Sequence, residues 1–525
     1  MKKLLSFALA AMLLVSLASF ASAEDKAVNV GISNALTTLN PLAMDNAEST
    51  KYAVSLVFLP LMELNGSMEF VPQLADAITT EDHIHFTIRL NDKAVWSDGT
   101  PVTAKDVEFT LVLGADPQCA NASLAMYMVE GTDDDGLIAP DADSLSGVKV
   151  LDEKTVEVTL KWATALDTFR NNFGRYVMPV PYHILKDVPR AELLQYAWFN
   201  KPDVISGPYF VEEADFQNYV HFAANEKYFL GAPKIKYLNF NVISSAKMLA
   251  GLQSGEIDLI HPTMGNIPVE DYAAVKALAN VTAVLSDAIT NESVFINTAR
   301  VPDARIRRAL LLGMDRQTVF DGLLDGNGEV IDGFLVSASP YYSQDLGVTA
   351  YDPAAAKALV DEAKADGAKT DYVWYVNSSE TAWINAVEYF KAAYEEIGLN
   401  IEIRTVVFDS LMEVAGNLEH DIMSVEYSYA PVDPYTDVVW LLGGEGSWTG
   451  FATAETDEAL ALSQTLDDVK DIAQQYLIVD RIMQEQAPMI SGWVIAKLGA
   501  VNNRLVNAHP NIFGTFVNVQ DWDIQ

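Results

Sequence analysis

The sequence predicts an α/β protein of two or three domains, and three observations lead there. The chain has 525 residues, more than one hydrophobic core organises. Half of those residues are apolar and a tenth aromatic, ample for packed cores and too many for a disordered chain. The second half alternates helix-period and strand-period segments, the pattern of βαβ units and mixed sheets.

Taken in order, the first residues read as a secretory leader. Lys2 and Lys3 form a positive start, Leu4 to Phe20 an apolar run, and Ala21-Ser22-Ala23 a small-residue cleavage site. No other stretch approaches about 18 uninterrupted apolar residues, so the mature chain is expected to be soluble. "KAVNVGISNALTTLNPLA" reads as a strand entering a loop at Asn40-Pro41. "HIHFTIRL" puts Ile84, Phe86, Ile88 and Leu90 on one face, the period of a half-buried strand. The turn Ser97-Asp98-Gly99-Thr100-Pro101 follows, and Thr103 with Asp106 resembles a capping box for the helix "AKDVEFTLVL". "GVKVLDEKTVEVTLK" reads as a hairpin. "KIKYLNFNVI" is a strand, "AKMLAGLQS" a helix closed by Gly255, and "IDLI" a returning strand. Asp352-Pro353 starts another helix that Gly367 ends. In the helix from about Thr381 to Ile397, Val387, Phe390, Tyr394 and Ile397 share one face. "NIEIRTVVF" is the strand after it.

Charge narrows the partners. Lys and Arg number 34 against 72 Asp and Glu, a formal net charge of −38, and loss of Lys2 and Lys3 with the leader deepens it. Such a surface repels nucleic acid and anionic membrane. It suits solubility outside the cytoplasm, or selection of cationic ligands. Cys119 is the single cysteine, so no intrachain disulfide is expected, and no cysteine ends the leader to carry a lipid.

The catalytic motifs are missing. There is no Gly-x-Ser-x-Gly, phosphate loop, Gly-x-Gly-x-x-Gly or His-Glu-x-x-His. His83 and His85 share a strand face in this reading and are taken as solvent-facing rather than metal-binding. Asp133 to Asp135 before Gly136 lack the register of a calcium loop. No enzyme activity, metal or cofactor is expected. One segment stands out: "EYSYAPVDPYTDVVW", Glu426 to Trp440. It is too aromatic for a solvent loop and too proline-broken for a helix or a central strand.

Four stretches, in order, resemble the large extracytoplasmic solute-binding proteins of family 5, which serve ABC importers of peptides, nickel and some sugars. They are "VWSDGTPVTAKDVEFTL", "SGPYFVEEADFQNYVHFAANEKYFLGAPKIKYLNF" with "AGLQSGEIDLI", "FINTARVPDARIRRALLLGMDRQTVFDGLLDGNG" and "YDPAAAKALVDEA". The resemblance implies a two-lobed, periplasmic-binding-protein-like α/β fold, hinged and with an extra inserted domain. Lobe one would comprise 24–58, 180–285 and 490–525, the inserted domain 59–179, and lobe two 286–489, after a leader at 1–23. It implies capture of a solute, a peptide first, by hinge closure at the periplasmic or extracellular face. A monomer would deliver it to the permease and ATPase of an importer. An oligosaccharide or other organic solute is the alternative; a secreted peptide-handling hydrolase or chaperone is the competitor from another class.

In oligopeptide-binding members, a segment matching Asp421 to Pro434 carries ligand contacts. The aspartate that pairs with the peptide ammonium falls on Ala430, an arginine on Ser424, a tryptophan on Tyr427, and a histidine near Ala382 or Trp383. Both charged anchors are therefore replaced. The resemblance leaves Tyr427, Tyr429, Trp440 and Trp448 as candidate ligand contacts, Trp383 opposite them, and Glu426 or Asp433 as substitute charges, Asp433 also bracing the proline turn. Tyr427 and Tyr429 rank first. Nickel is not expected, because no histidine lies within that segment.

Overall fold

Two long antiparallel strands, Val281–Ile296 and Met489–Asn502, organise the protein. In the computed structural model the described residues are 27–45, 47–121, 123–444 and 446–525, and the side chain of Trp440 is outside them. The expected leader also lies outside the described residues. The two strands are the middle of one mixed sheet. On one side follow Ile422–Ser428, Asp371–Asn377 and Asn400–Val406; on the other, Leu259–Ile260, Ala27–Ile32, Tyr237–Val242, Tyr219–Ala224 and Tyr209–Asp215.

The pair changes neighbours along its length. Val281–Leu285 faces Leu498–Asn502 beside Leu259–Ile260, whereas Thr290–Ile296 pairs with Ile422–Ser428. The register slips between Leu285 and Thr290, and such slips bend strands. The sheet is thus two half-sheets joined by two strands that bend between them.

Local chemistry explains the elements. The Asp106 carboxylate accepts the Thr103 backbone N–H at 2.7 Å where the helix Ala104–Ala115 starts. Asp352 accepts from the Ala355 N–H ahead of Pro353–Ala365. Gly255 takes a left-handed φ of 77° to end the helix Met248–Ser254. Val387, Phe390, Tyr394 and Ile397 are all buried on the helix Thr381–Glu396 side of the sheet. A separate four-stranded sheet (Ala75–Thr80, His85–Leu90, Thr155–Thr159, Val148–Asp152) shares a core with the strand Ala27–Ile32. Cys119 is buried there, its thiol pushed up to about 12 by burial. No helix among the described residues is long and apolar enough to cross a membrane.

Two local expectations are corrected. His83 does not share a strand face with His85: it has φ 63° and precedes the strand, which begins at His85. His85 instead meets Asp82 at 2.8 Å. The aromatic segment contains both elements its prolines seemed to forbid. Glu426–Ser428 end a central strand, and Tyr435–Leu442 is a helix. Pro431 and Pro434 fall in the connection, where no ladder or helix N–H is required of them.

Candidate functional site

Among the described residues two clefts border the strand Ile422–Ser428, the larger at Glu426 and the smaller at Ser428. Alternation along that strand decides which side chain faces which. Ile422 and Ser424 point to the core beneath the helix Thr381–Glu396, and Met423, Val425 and Tyr427 to the opposite core.

The larger cleft has a volume of about 760 Å³. One wall comes from Asn34, Ser245 and the stretch Asn266–Tyr272; the other from Glu292, Asn377, Glu380, Trp383, Glu426 and Trp493. Tyr272 ties the first wall to the bend, since its hydroxyl donates to the Ala496 carbonyl and accepts the Leu498 N–H at 3.1 Å. Glu292, Glu426 and Trp493 lie side by side across three paired strands. Lys497 bridges to Glu426 at 3.1 Å. Glu380 accepts from the Asn377 amide at 3.0 Å. Burial pushes the Glu380 carboxyl up to about 7. Burial, then Glu380 and Glu426, holds that of Glu292 far above the carboxylate range.

Trp383 forms part of this cleft, with its indole N–H donating to the Ser424 hydroxyl at 2.6 Å. Ser424 also accepts from Trp374 at 3.1 Å and is fully buried, so an arginine at this position would displace two indoles. Trp383 stands edge-on to Trp493, ring centres 4.7 Å apart. It rests on bare backbone at Gly492, where a Cβ would fall 2.5 Å from the Trp383 ring and 2.9 Å from the Glu292 carbonyl. Gly492→Ala is therefore expected to cost about 1–3 kcal/mol through overpacking and to shift the tryptophan emission. Denaturant unfolding followed by fluorescence checks this; an unchanged midpoint and spectrum would contradict the packing.

The smaller cleft, about 290 Å³, is bounded by Glu48, Asn171, Asn172, Arg175, Ser428, Tyr429, Ala430 and Asp437. Behind it runs a polar chain. Asp433 accepts from Thr168 at 2.7 Å and from Asn171 and Asn172 at 3.1 Å. Asn171 accepts from Arg175 at 3.0 Å. Arg175 and Lys51 then hold the two oxygens of Glu63 at 2.5 and 2.6 Å. Burial would raise the Glu63 carboxyl, but Arg175 and Lys51 outweigh it and hold it down to about 2. Burial pushes Asp437 up to about 7, with Asp433 adding to it.

The residues singled out from sequence are distributed between these clefts and the core. Trp383 and Glu426 line the larger cleft, and Tyr429 and Ala430 the smaller. Tyr429 is nonetheless anchored: its hydroxyl donates to the Phe334 carbonyl and accepts the Val336 N–H. Tyr427 lies in an aromatic stack with Phe334 and Tyr429 and borders neither cleft. Asp433 is buried in the polar chain, hydrogen-bonded also to Thr436 just past Pro434. Trp448 packs edge-on against Phe295. Trp440 is in the helix Tyr435–Leu442, its side chain outside the described residues. Sequence reasoning missed Glu292, Glu380, Trp493, Arg175 and Asp437. One signal was available for Glu292: an acid inside the strand pattern "ESVFI", where charge is costly without a purpose. Among the described residues no group of three His, Cys, Asp or Glu side chains is placed to hold a metal.

The model of the bacterial extracellular solute-binding proteins, family 5 Middle, matches residues 69–449. A nickel-binding periplasmic protein of Escherichia coli K12 is 27% identical over 320 residues, covering 59% of this chain and 56% of that one. A putative ABC transporter peptide-binding protein of Brucella ovis is 27% identical over 361 residues, covering 66% and 63%. The matches thus span about 60% of the length of these relatives. For the oligopeptide-binding protein AppA of Bacillus subtilis, 23% identity extends over 475 residues, 86% of this chain and 83% of AppA. Among solved structures, AppA in complex with a nonapeptide has a TM-score of 0.74 at 21% identity, covering 95% and 99%. The substrate-binding protein CtaP of Listeria monocytogenes has 0.79 at 20%, with the same coverage. These structures share the fold: two α/β lobes joined by a hinge.

Proposed function

This chain belongs to the bacterial extracellular solute-binding proteins of family 5, and from that premise we propose that it captures a peptide between its lobes and hands it to an ABC importer. One observation carries this: a cleft of about 760 Å³ whose walls come from both half-sheets, at the place where, among the described residues, two strands connect them. A solute touching both walls favours the closed form by its contacts to both at once. The permease and ATPase then receive a monomer closed around its cargo, and no chemistry is done on the solute.

The register slips between Leu285 and Thr290 support a hinge there. On that basis residues 24–58, 180–285 and 490–525 form one lobe and 286–489 the other, with 59–179 inserted in the first. Trp383, Glu426 and Tyr429 are the sequence candidates whose positions favour direct contact with solute. Tyr427, Asp433 and Trp448 support them from behind. Met1–Ala23 directs export to the periplasmic or extracellular face.

A second reading keeps the transport role and changes the cargo to an oligosaccharide or another organic solute. It is favoured by Ala430, which borders the smaller cleft, and by the buried Ser424, since neither supplies a charge of the kind that peptide termini require. Native mass spectrometry of the protein purified from its own host distinguishes the two. A retained peptide mass, released on unfolding and sequenced, is expected; a retained glycan or no adduct under any growth condition would count against peptide.

A further inference from the structure

Glu292 is a costly residue. It is 2% exposed, and its Oε1 has no hydrogen-bond partner, although the side chain borders the larger cleft. The indole N–H of Trp493, equally buried on the same wall, is also unpartnered. Unsatisfied buried polar groups cost about 1–3 kcal/mol each, and both of these lie where a bound solute would satisfy them. The charges of the wall are Glu292, Glu380, Glu426 and Lys497. Lys497 is taken by Glu426, so two carboxyls remain without a cation.

We propose that this cleft receives a cationic group of its solute, a guanidinium or ammonium seated at Glu292 and Glu380, with the Trp493 N–H donating to a neighbouring carbonyl of the same solute. The inference rests on the solute-binding reading and narrows its cargo to organic cations, of which a peptide with a basic side chain is one source and a free amine the other. A guanidinium suits the place because it donates to two carboxyls at once. Empty, the cleft holds a proton on Glu292 and a part share of one on Glu380 near neutrality, since burial raises both carboxyls. Binding a cation expels those protons. Affinity for a cation therefore rises as the pH rises from 6 to 8, and binding releases protons to the buffer. Tyr272 faces the same cleft with its phenol pushed up to about 12, so it stays neutral across that range.

Calorimetry on the full chain tests this with three kinds of probe: alanine tripeptides carrying arginine at each position in turn, the same peptides with citrulline for arginine, and agmatine. Citrulline keeps the shape of arginine and removes its charge. Arginine peptides are expected to bind at least 10-fold more tightly than their citrulline counterparts, with a heat that varies with the ionisation enthalpy of the buffer. The double variant Glu292→Gln, Glu380→Gln mimics the protonated pair, so its fold is retained, and it should bind the two peptides alike. Equal affinity in the wild-type protein would overturn the cation site and leave peptide binding standing. Agmatine binding with neither peptide bound would support the cation site and overturn the peptide reading. Binding of none of the probes at millimolar concentration would overturn both.

Discussion

Glu63→Gln is expected to destabilise the protein by about 3–5 kcal/mol, the range for removing one partner of a buried ion pair. Among the described residues Glu63 is the only carboxylate within bonding distance of two buried cations, Lys51 at 2.6 Å and Arg175 at 2.5 Å. Glutamine keeps the size and loses the charge, leaving two like charges buried side by side. Burial already lowers Lys51 to about 8, with Arg175 adding to the effect. Without Glu63, Lys51 should give up its proton near neutrality. The consequence reaches the smaller cleft, because Arg175 orients Asn171, which binds Asp433. Urea unfolding of the two proteins measures the loss; a difference below about 1 kcal/mol would mean that the triad is relaxed or hydrated in solution.

The second large effect is a stability maximum on the acid side of neutrality. Two sets of carboxyls oppose each other. Glu63 is lowered in the fold to about 2, so its stabilisation is present above about pH 4.5 and is lost as the pH falls towards 2, on the order of 3 kcal/mol. Asp437, Asp480 and Glu380 are raised to about 7, chiefly by burial. The advantage of their neutral forms is full below about pH 4 and is lost as the pH rises to 7. Together these three are worth a few kcal/mol at most, since two of them face clefts that admit water. Thermal unfolding should therefore give its highest midpoint near pH 4 to 5 and a decline towards pH 8. A midpoint that climbs steadily from pH 5 to pH 8 would contradict the burial of these acids.

The acidity of the chain takes on a local meaning beside this. A formal charge of −38 reads, over the whole surface, as solubility. Inside the larger cleft, two buried carboxyls in excess of one lysine are a specific demand on a solute. Composition cannot separate the two, because a count of acids says nothing of which few are taken out of water.

What was legible in the sequence was whatever neighbouring residues settle among themselves. The cap at Thr103, the stop at Gly255, the start at Asp352-Pro353 and the buried face from Val387 to Ile397 follow from contacts within a turn or two of chain. The order of motifs also indicated the family and its two-lobed fold. The aromatic segment was legible only in part. Its prolines marked a break, yet the end of the strand before it and most of the helix after it lie within the same fifteen residues.

The sequence by itself therefore determined the local elements and the α/β class. Tertiary structure alone decided which side chains meet. Ser424 is small because two indoles donate to it, from Trp374 and Trp383, 50 and 41 residues away. Glu292 becomes a cleft acid because pairing aligns it with Glu426 and Trp493, and nothing in its own neighbourhood announces that. The physical reason is one of range. Caps and periodicity act over a few residues, whereas desolvation and charge pairing depend on atoms that the chain brings together only when the sheet closes.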